Sequence, residues 1–307
     1  MRYLEIDGLR LSRVGLGTWQ FGSREWGYGE AYARDVAPAL LLRAIELGIT
    51  MIDTAEFYAF GRSERIIGET LADLAPADRA RLTVATKFLP FAPAEAIVRR
   101  EAAASARRLR DDIIDLYYVH WPNPFVSPRR TAQAVRPLLE TGIVRRVAVS
   151  NHSSAQWKEA ERGFRRAAIA NQVRFSLLSP GPSIDLVPFA ADNGRLIVAY
   201  SPLGQGLLAG RDPSSMTGMR AMGRATRGSG GPAALETLRA AIAEIAVAND
   251  ASSAQVSLAW LLSHPNTIAI PGARSIEQLE HNAAAADLVL SVDELARLTE
   301  ASRPFRG

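Results

Sequence analysis

The chain has 307 residues, 48% of them hydrophobic, no cysteine and a formal charge of +4 at pH 7. That length suits one large domain or two ordinary ones, and the absence of cysteine excludes disulfides and thiolate metal sites. Its basic residues are spread along helical patterns rather than gathered into a stripe with interleaved aromatics, which argues against a nucleic-acid partner, and no apolar run reaches the length of a membrane span.

Residues 3–11 read as a hairpin, with Asp7-Gly8 as its turn. Short apolar segments then alternate with helical patterns. The strands fall near 14–17, 50–53, 82–87, 114–119, 145–149, 168–172, 196–200 and 267–270. The first helix is expected over 34–47, with Pro38 in its first turn and Gly48 just past its end. Eight such units match an α/β fold of the (β/α)8 TIM barrel type, with 1–307 as one domain and the hairpin before it; a doubly wound sheet is the competitor. Residues 210–232 break the pattern. They hold four arginines, one acid and several glycines, and are expected to form a mobile loop on the catalytic face. A last helix is expected over 292–302.

Chemistry in such a barrel gathers at the carboxyl ends of the strands. There the apolar strands end in Asp53, Lys87, His120, Ser150-Asn151, Asn171-Gln172 and Tyr200-Ser201. Lys87 and Lys158 are the only lysines among 36 basic residues. A compact ammonium on a buried strand points to a task that arginine cannot do. Asp53 would keep Lys87 charged, and Lys87 would act on Tyr58 in the following loop. A unit charge at about 4 Å is worth roughly 4 kcal/mol at an effective dielectric near 20. That bounds the lowering of a phenol pKa near 10 at about three units. His120 would orient a carbonyl oxygen. The set suits proton donation to a carbonyl as hydride arrives from a nicotinamide cofactor.

No G-x-G-x-x-G opens a helix after the first strand, so a Rossmann site is not indicated. The loop 201–207 offers backbone N–H groups to a pyrophosphate. The turn 270–275 enters a helix, which favours phosphate, and carries Arg274. No spacing of His, Asp and Glu suggests a metal site.

The motifs Leu16-Gly-Thr-Trp19, Asp53-Thr-Ala-Glu-Phe-Tyr-Ala-Phe-Gly-Arg-Ser-Glu64, Thr86-Lys87, Asp115-Leu-Tyr-Tyr-Val-His-Trp121, Val149-Ser-Asn151, Asn171-Gln172, Tyr200-Ser-Pro-Leu-Gly-Gln-Gly206 and Ile270-Pro-Gly-Ala-Arg274 with Asn282 resemble, in order and spacing, those of the aldo-keto reductases, in the form of their bacterial and channel-β-like branches. The resemblance implies a (β/α)8 barrel whose bottom is closed by the N-terminal hairpin, with Asp53, Tyr58, Lys87 and His120 as the catalytic tetrad. It implies that Tyr200 stacks on the nicotinamide while Ser150, Asn151 and Gln172 hold its carboxamide, and it adds Thr18, Trp19 and Asp53 to the cofactor-binding set. Ser201, Pro202, Leu203, Gln205 and Gly206 would cover the pyrophosphate. Gly272, Arg274, Gln278 and Asn282 would surround the adenosine end. Gln278 and His281 depart from the arginine and glutamate of many members. NADP(H) is the preferred cofactor, with NAD(H) possible.

Trp19, Trp26, Phe57, Phe88 and Trp121 are candidates for the walls of a substrate pocket, and the polar, aromatic loop 23–30 is a candidate contact for a sugar-like substrate. The leading reading is a cytoplasmic reductase of a small-molecule carbonyl, without nucleic-acid or membrane partners, as a monomer or simple homo-oligomer. Two alternatives stand beside it: a cofactor-binding subunit like channel β subunits, and an aldolase using Lys87 as a Schiff base. The pairing of Lys87 with Asp53 argues against the second.

Overall fold

The computed structural model describes residues 1–22, 29–212 and 230–306. The hairpin is formed by β1 (Tyr3–Ile6) and β2 (Leu9–Ser12), with Ile6 opposite Leu9. Its two turn residues, Asp7 and Gly8, both take positive φ (47° and 73°), as a two-residue turn matched to strand twist requires.

Eight strands follow: β3 (Leu16–Gly17), β4 (Met51–Asp53), β5 (Thr83–Phe88), β6 (Ile114–Val119), β7 (Val144–Ser150), β8 (Ala168–Arg174), β9 (Leu196–Tyr200) and β10 (Thr267–Ala269). Each pairs in parallel with the next in chain order. The ring closes where Val14, just before β3, bridges Ala269 in parallel and Gly15 N–H donates to the Ala269 carbonyl at 2.8 Å. β3 is short and pinched between its neighbours. A Cβ on Gly17 would lie 2.6 Å from the Ile270 carbonyl oxygen, so only glycine fits there.

The outer layer is α1 (Ala37–Glu46), α2 (Arg62–Leu71), α3 (Pro76–Arg79), α4 (Glu95–Leu109), α5 (Pro128–Glu140), α6 (Ser154–Phe164), α7 (Leu186–Asp192), α8 (Gly231–Ala248), α9 (Ser253–Leu262), α10 (Ile276–Ala284) and α11 (Val292–Ser302). The first helix differs from its sequence reading. A π-helical turn, Tyr32–Val36, precedes α1, and Ala37 N–H bonds to the Tyr32 carbonyl. Pro38 has no N–H to give the carbonyl four residues back, so the regular pattern is broken at this point. α11 spans 292–302 as the sequence suggested. Most of the segment 210–232 (213–229) lies outside the described residues, as does Trp26.

Alternation along each strand sorts side chains between two buried faces. Met51, Ala85, Leu116, Tyr118, Ala148, Ala170, Leu196, Val198 and Ile268 fill the barrel interior, where Ile6 and Leu11 of the hairpin join them. The hairpin sits at the amino-terminal end of the strands: Arg146, near the start of β7, donates to the Asp7 carboxylate at 2.8 Å. The opposite faces of the strands pack on the helices. With the bottom covered, the carboxyl end is left for polar residues. Among the described residues no helix is long and apolar enough to cross a membrane.

Candidate active site

Asp53 ends β4, Lys87 is the penultimate residue of β5, and His120 follows β6. Ser150 ends β7, Gln172 lies in β8 and Tyr200 ends β9. The parallel register sets Gly17 beside Asp53, Lys87 beside Tyr118, and Ser150 beside Gln172. The strand ends therefore form one polar ring above an apolar barrel.

At its centre Lys87 is fully buried. Its ammonium donates to Asp53 Oδ1 at 2.6 Å, to the Thr54 carbonyl at 2.7 Å and to Tyr58 OH at 3.1 Å. The three acceptors match the three donors of an ammonium, which a buried charge demands. Burial raises the Asp53 carboxyl and lowers the Lys87 ammonium from their ordinary values, while the contact between them pulls each back toward its charged form.

Tyr58 departs from the sequence expectation. Burial, and then the Asp53 charge, push its phenol well above the ordinary value. In this state the phenol keeps its proton, as a donor must. The Lys87 ammonium lies 3.1 Å from its oxygen. The His120 imidazole is driven down to about 3 by burial and by Lys87, so it is neutral at physiological pH. Its Nδ1 is buried without a hydrogen-bond partner among the described residues. A neutral ring can donate one hydrogen bond to an incoming oxygen.

Asn151 has φ 59°, a conformation that asparagine tolerates better than most residues. Its side-chain amide donates to Ser150 Oγ at 2.9 Å and to the His120 carbonyl at 3.3 Å. Tyr200 OH donates to Asn151 Oδ1 at 3.0 Å. Thr18 is fully buried; its hydroxyl donates to the Asp53 carbonyl at 2.8 Å and contacts Ser63 Oγ. In this structure Thr18 braces the main chain beneath Asp53.

Beyond β9, Ser201, Gly204, Gln205 and Gly206 all take positive φ, and Pro202 and Leu203 lie between them. Beyond β10, Gly272 and Arg274 are exposed. Asn282 donates to the Gly272 carbonyl at 3.4 Å. Gln278 accepts the Arg274 N–H at 3.0 Å, while Ser275 caps α10.

Of the pocket candidates, Trp19, Phe57 and Trp121 are partly exposed near the ring. Phe88 is corrected by the structure. It is buried in the helix-facing core and stacks on Tyr117 at 5.3 Å. With Lys87 facing inward, the next residue on the strand must face outward.

Two residues inside the quoted Asp53–Glu64 motif were given no role from the sequence. Glu56 N–H donates to the Lys87 carbonyl at 3.2 Å, and Glu56 Oε1 accepts the Leu89 N–H at 2.8 Å, tying the Tyr58 loop to the end of β5. Glu64, fully buried, accepts from Thr86 Oγ1 at 2.6 Å and pairs with Arg108, which locks α2 to β5 and α4. For Glu56, an acid between Ala55 and Phe57 was the available signal; Glu64, between Ser63 and Arg65, had none of that kind.

Residues 13–303 match the model of the aldo/keto reductase family. The chain is 48% identical to an uncharacterized oxidoreductase of Mycobacterium tuberculosis, across all of this chain and 94% of the relative. It is 36% identical to a methylglyoxal reductase of Escherichia coli, across all of this chain and 96% of that one. Among solved structures, an aldo/keto reductase from Klebsiella pneumoniae in complex with NADP and acetate superimposes with a TM-score of 0.75. It is 31% identical, over 97% of this chain and 92% of that chain.

Proposed function

We propose, from the premise that this chain belongs to the aldo/keto reductase family, that it reduces the carbonyl of a small aldehyde or ketone with NADPH in preference to NADH, and that Tyr58 is the proton donor. The observation that carries the reading is the Lys87 ammonium shared among Asp53, the Thr54 carbonyl and Tyr58 OH.

The residues present fit a nicotinamide dinucleotide. Ser150, Asn151 and Gln172 offer amide and hydroxyl groups beside Tyr200. The left-handed turns of 201–206 form a backbone surface suited to a pyrophosphate. Gly272 and Arg274 are exposed at the amino-terminal end of α10, where an anion is favoured. When bound, the cofactor supplies hydride to the carbonyl carbon. This chain's residues supply the rest. His120 donates a hydrogen bond to the carbonyl oxygen and fixes its position. Tyr58 transfers its proton to that oxygen. Lys87 stabilises the phenolate left behind, and Asp53 balances Lys87. Burial of the phenol keeps bulk water from competing for the proton. A methylglyoxal reductase among the relatives supports an aldehyde substrate, and a neighbour in complex with NADP supports the cofactor.

The test is steady-state oxidation of NADPH and NADH against a panel of aldehydes and ketones, followed by absorbance, with Tyr58→Phe as control. Carbonyl-dependent oxidation that is lost in the variant is the expected result. Turnover that persists in the variant contradicts the assignment of Tyr58.

A further inference from the structure

Tyr58 and Lys87 stand on different elements, and the Glu56 side chain joins those elements. The strand β4 ends at Asp53, but hydrogen bonding to β5 runs on past it. Thr54 N–H donates to the Ala85 carbonyl at 2.8 Å, and Glu56 N–H donates to the Lys87 carbonyl at 3.2 Å. In a parallel ladder continued at this register, the next donor, Leu89 N–H, would meet the main-chain carbonyl of Glu56. It meets the side chain instead: Glu56 Oε1 accepts it at 2.8 Å. The carboxyl group thus stands in for one rung of the ladder, and the main chain is released to turn. The turn begins at once. Tyr58 N–H donates to the Ala55 carbonyl at 3.0 Å, and Ala59, Phe60 and Gly61 all take positive φ.

The tie sits close to both members of the proposed proton-transfer pair. Glu56 comes two residues before Tyr58, and Leu89 comes two residues after Lys87. The outer side of the loop supports it weakly. Phe57 is half exposed, Phe60 is 86% exposed, and the Tyr58 carbonyl takes the Ser63 N–H at 3.4 Å. On the inner side Trp19 stacks on the Tyr58 ring with centroids 5.2 Å apart, a kind of contact that tolerates a range of offsets. Proton transfer does not tolerate them. The donor oxygen must lie within hydrogen-bond reach of its acceptor, and a misplacement of about 1 Å can cost on the order of a hundredfold in rate.

We propose that Glu56 is a positioning residue for the proton transfer: by taking the Leu89 N–H it fixes the Tyr58 loop to β5 and sets the 3.1 Å between Tyr58 OH and Lys87 Nζ. This rests on the reductase reading above and deepens it. What the position requires is an accepting oxygen at the reach of a glutamate. Ionised or protonated, Glu56 keeps one, so the charges of Glu64, Glu101 and Arg108 that act on its carboxyl do not decide whether the tie holds. Glutamine supplies the same acceptor at the same reach. Aspartate falls one methylene short, and leucine supplies no acceptor.

The experiment compares the parent with Glu56→Gln, Glu56→Asp and Glu56→Leu, using the cofactor and the carbonyl that the parent turns over fastest. It measures kcat, KM, the cofactor Kd and the solvent deuterium isotope effect on kcat. Glu56→Leu and Glu56→Asp should lower kcat by at least about tenfold, with KM and Kd within about threefold of the parent. Their isotope effect should rise, because proton transfer becomes the slow step. Glu56→Gln should rescue kcat to within about threefold of the parent. If the leucine variant does not fold, the aspartate variant, which keeps the charge, carries the test. Three results overturn the positioning role: a kcat of about half the parent value or more in the aspartate variant, a loss in the glutamine variant as large as in the aspartate variant, or a loss of kcat matched by an equal loss of cofactor affinity with the isotope effect unmoved. Each of these leaves the reductase reading standing. A parent that oxidises neither cofactor with any carbonyl overturns both.

Discussion

Gln172 reaches across the barrel to Asp53: its Nε2 donates to Asp53 Oδ2 at 2.6 Å, although β8 and β4 stand on opposite sides of the eight-stranded ring. Lys87 holds the other carboxylate oxygen. Asp53 is almost fully buried; burial raises its carboxyl, and the donors on its two oxygens, Lys87 and Gln172, oppose that shift. Gln172→Leu removes one of them. A buried acceptor left unsatisfied costs about 1–3 kcal/mol. We expect a loss of that size in urea-unfolding stability, together with a fall in kcat. Unchanged stability would mean that water replaces the amide.

Lys87→Met should remove most turnover while leaving NADPH affinity largely intact, because Nζ touches Asp53, Thr54 and Tyr58 rather than the loops that would hold the phosphates. Loss of even about 2 kcal/mol of transition-state stabilisation lowers kcat roughly thirtyfold. Rates from single-turnover mixing, beside NADPH titration by fluorescence, check both halves. A variant that keeps more than about a tenth of the parent kcat contradicts the role given to Lys87.

Glu56 carries a pH dependence. Burial raises its carboxyl from 4.5 to about 7, opposed by the Leu89 N–H; Glu101 and Glu64 raise it further, and Arg108 lowers it. Its second oxygen is buried with no partner among the described residues. A folded-state pKa above the unfolded one gives stability that is fully present below pH 4.5 and is lost as pH rises to about 7. The rise corresponds to at most about 3 kcal/mol. Glu56→Gln keeps an acceptor for Leu89 and removes the charge, so it should raise Tm at pH 8 and leave it nearly unchanged at pH 4.5. His120 and His152, held by burial at about 3 and about 4, act in the other direction. Their lowered values oppose folding as pH falls below 6.5, in the parent and the variant alike. Equal Tm for parent and variant at pH 8 would contradict the assignment to Glu56.

Arg274→Ala should raise Kd for NADPH by at least about tenfold more than Kd for NADH, since charge-assisted bonds to a 2′-phosphate would be lost. Gln278 already accepts the Arg274 N–H, which leaves the side chain rather than that backbone group for the phosphate. Equal losses with both cofactors would place Arg274 elsewhere on the ligand or in the structure. Isothermal titration with each cofactor decides.

The strand ends were legible because one polar residue at the close of an apolar run has few packing explanations. Asp53, Lys87 and His120 stood out in that way, and Tyr58 followed from what lay beside Lys87. Phe88 follows the inward-facing Lys87, so alternation along β5 turns it to the helix-facing side, where it packs on Tyr117. The direction of the Tyr58 shift was missed because the ammonium was weighed without the cost of burying the phenol. The bond between Gln172 and Asp53 joins residues 119 apart in sequence across a closed ring, and no local pattern encodes such a pair. The π-helical turn before Pro38 follows from a missing N–H, but helical periodicity alone reads through it.

We propose that Tyr58 gives the proton and Lys87 stabilises what remains. The most direct test of this is Tyr58→Phe, which removes one oxygen and keeps the ring stacked against Trp19. NADPH binding and carbonyl turnover are measured on the same preparation. We expect a Kd for NADPH within about threefold of the parent and a kcat lower by at least about a hundredfold. A variant that binds NADPH normally and retains a tenth or more of the parent kcat would contradict it.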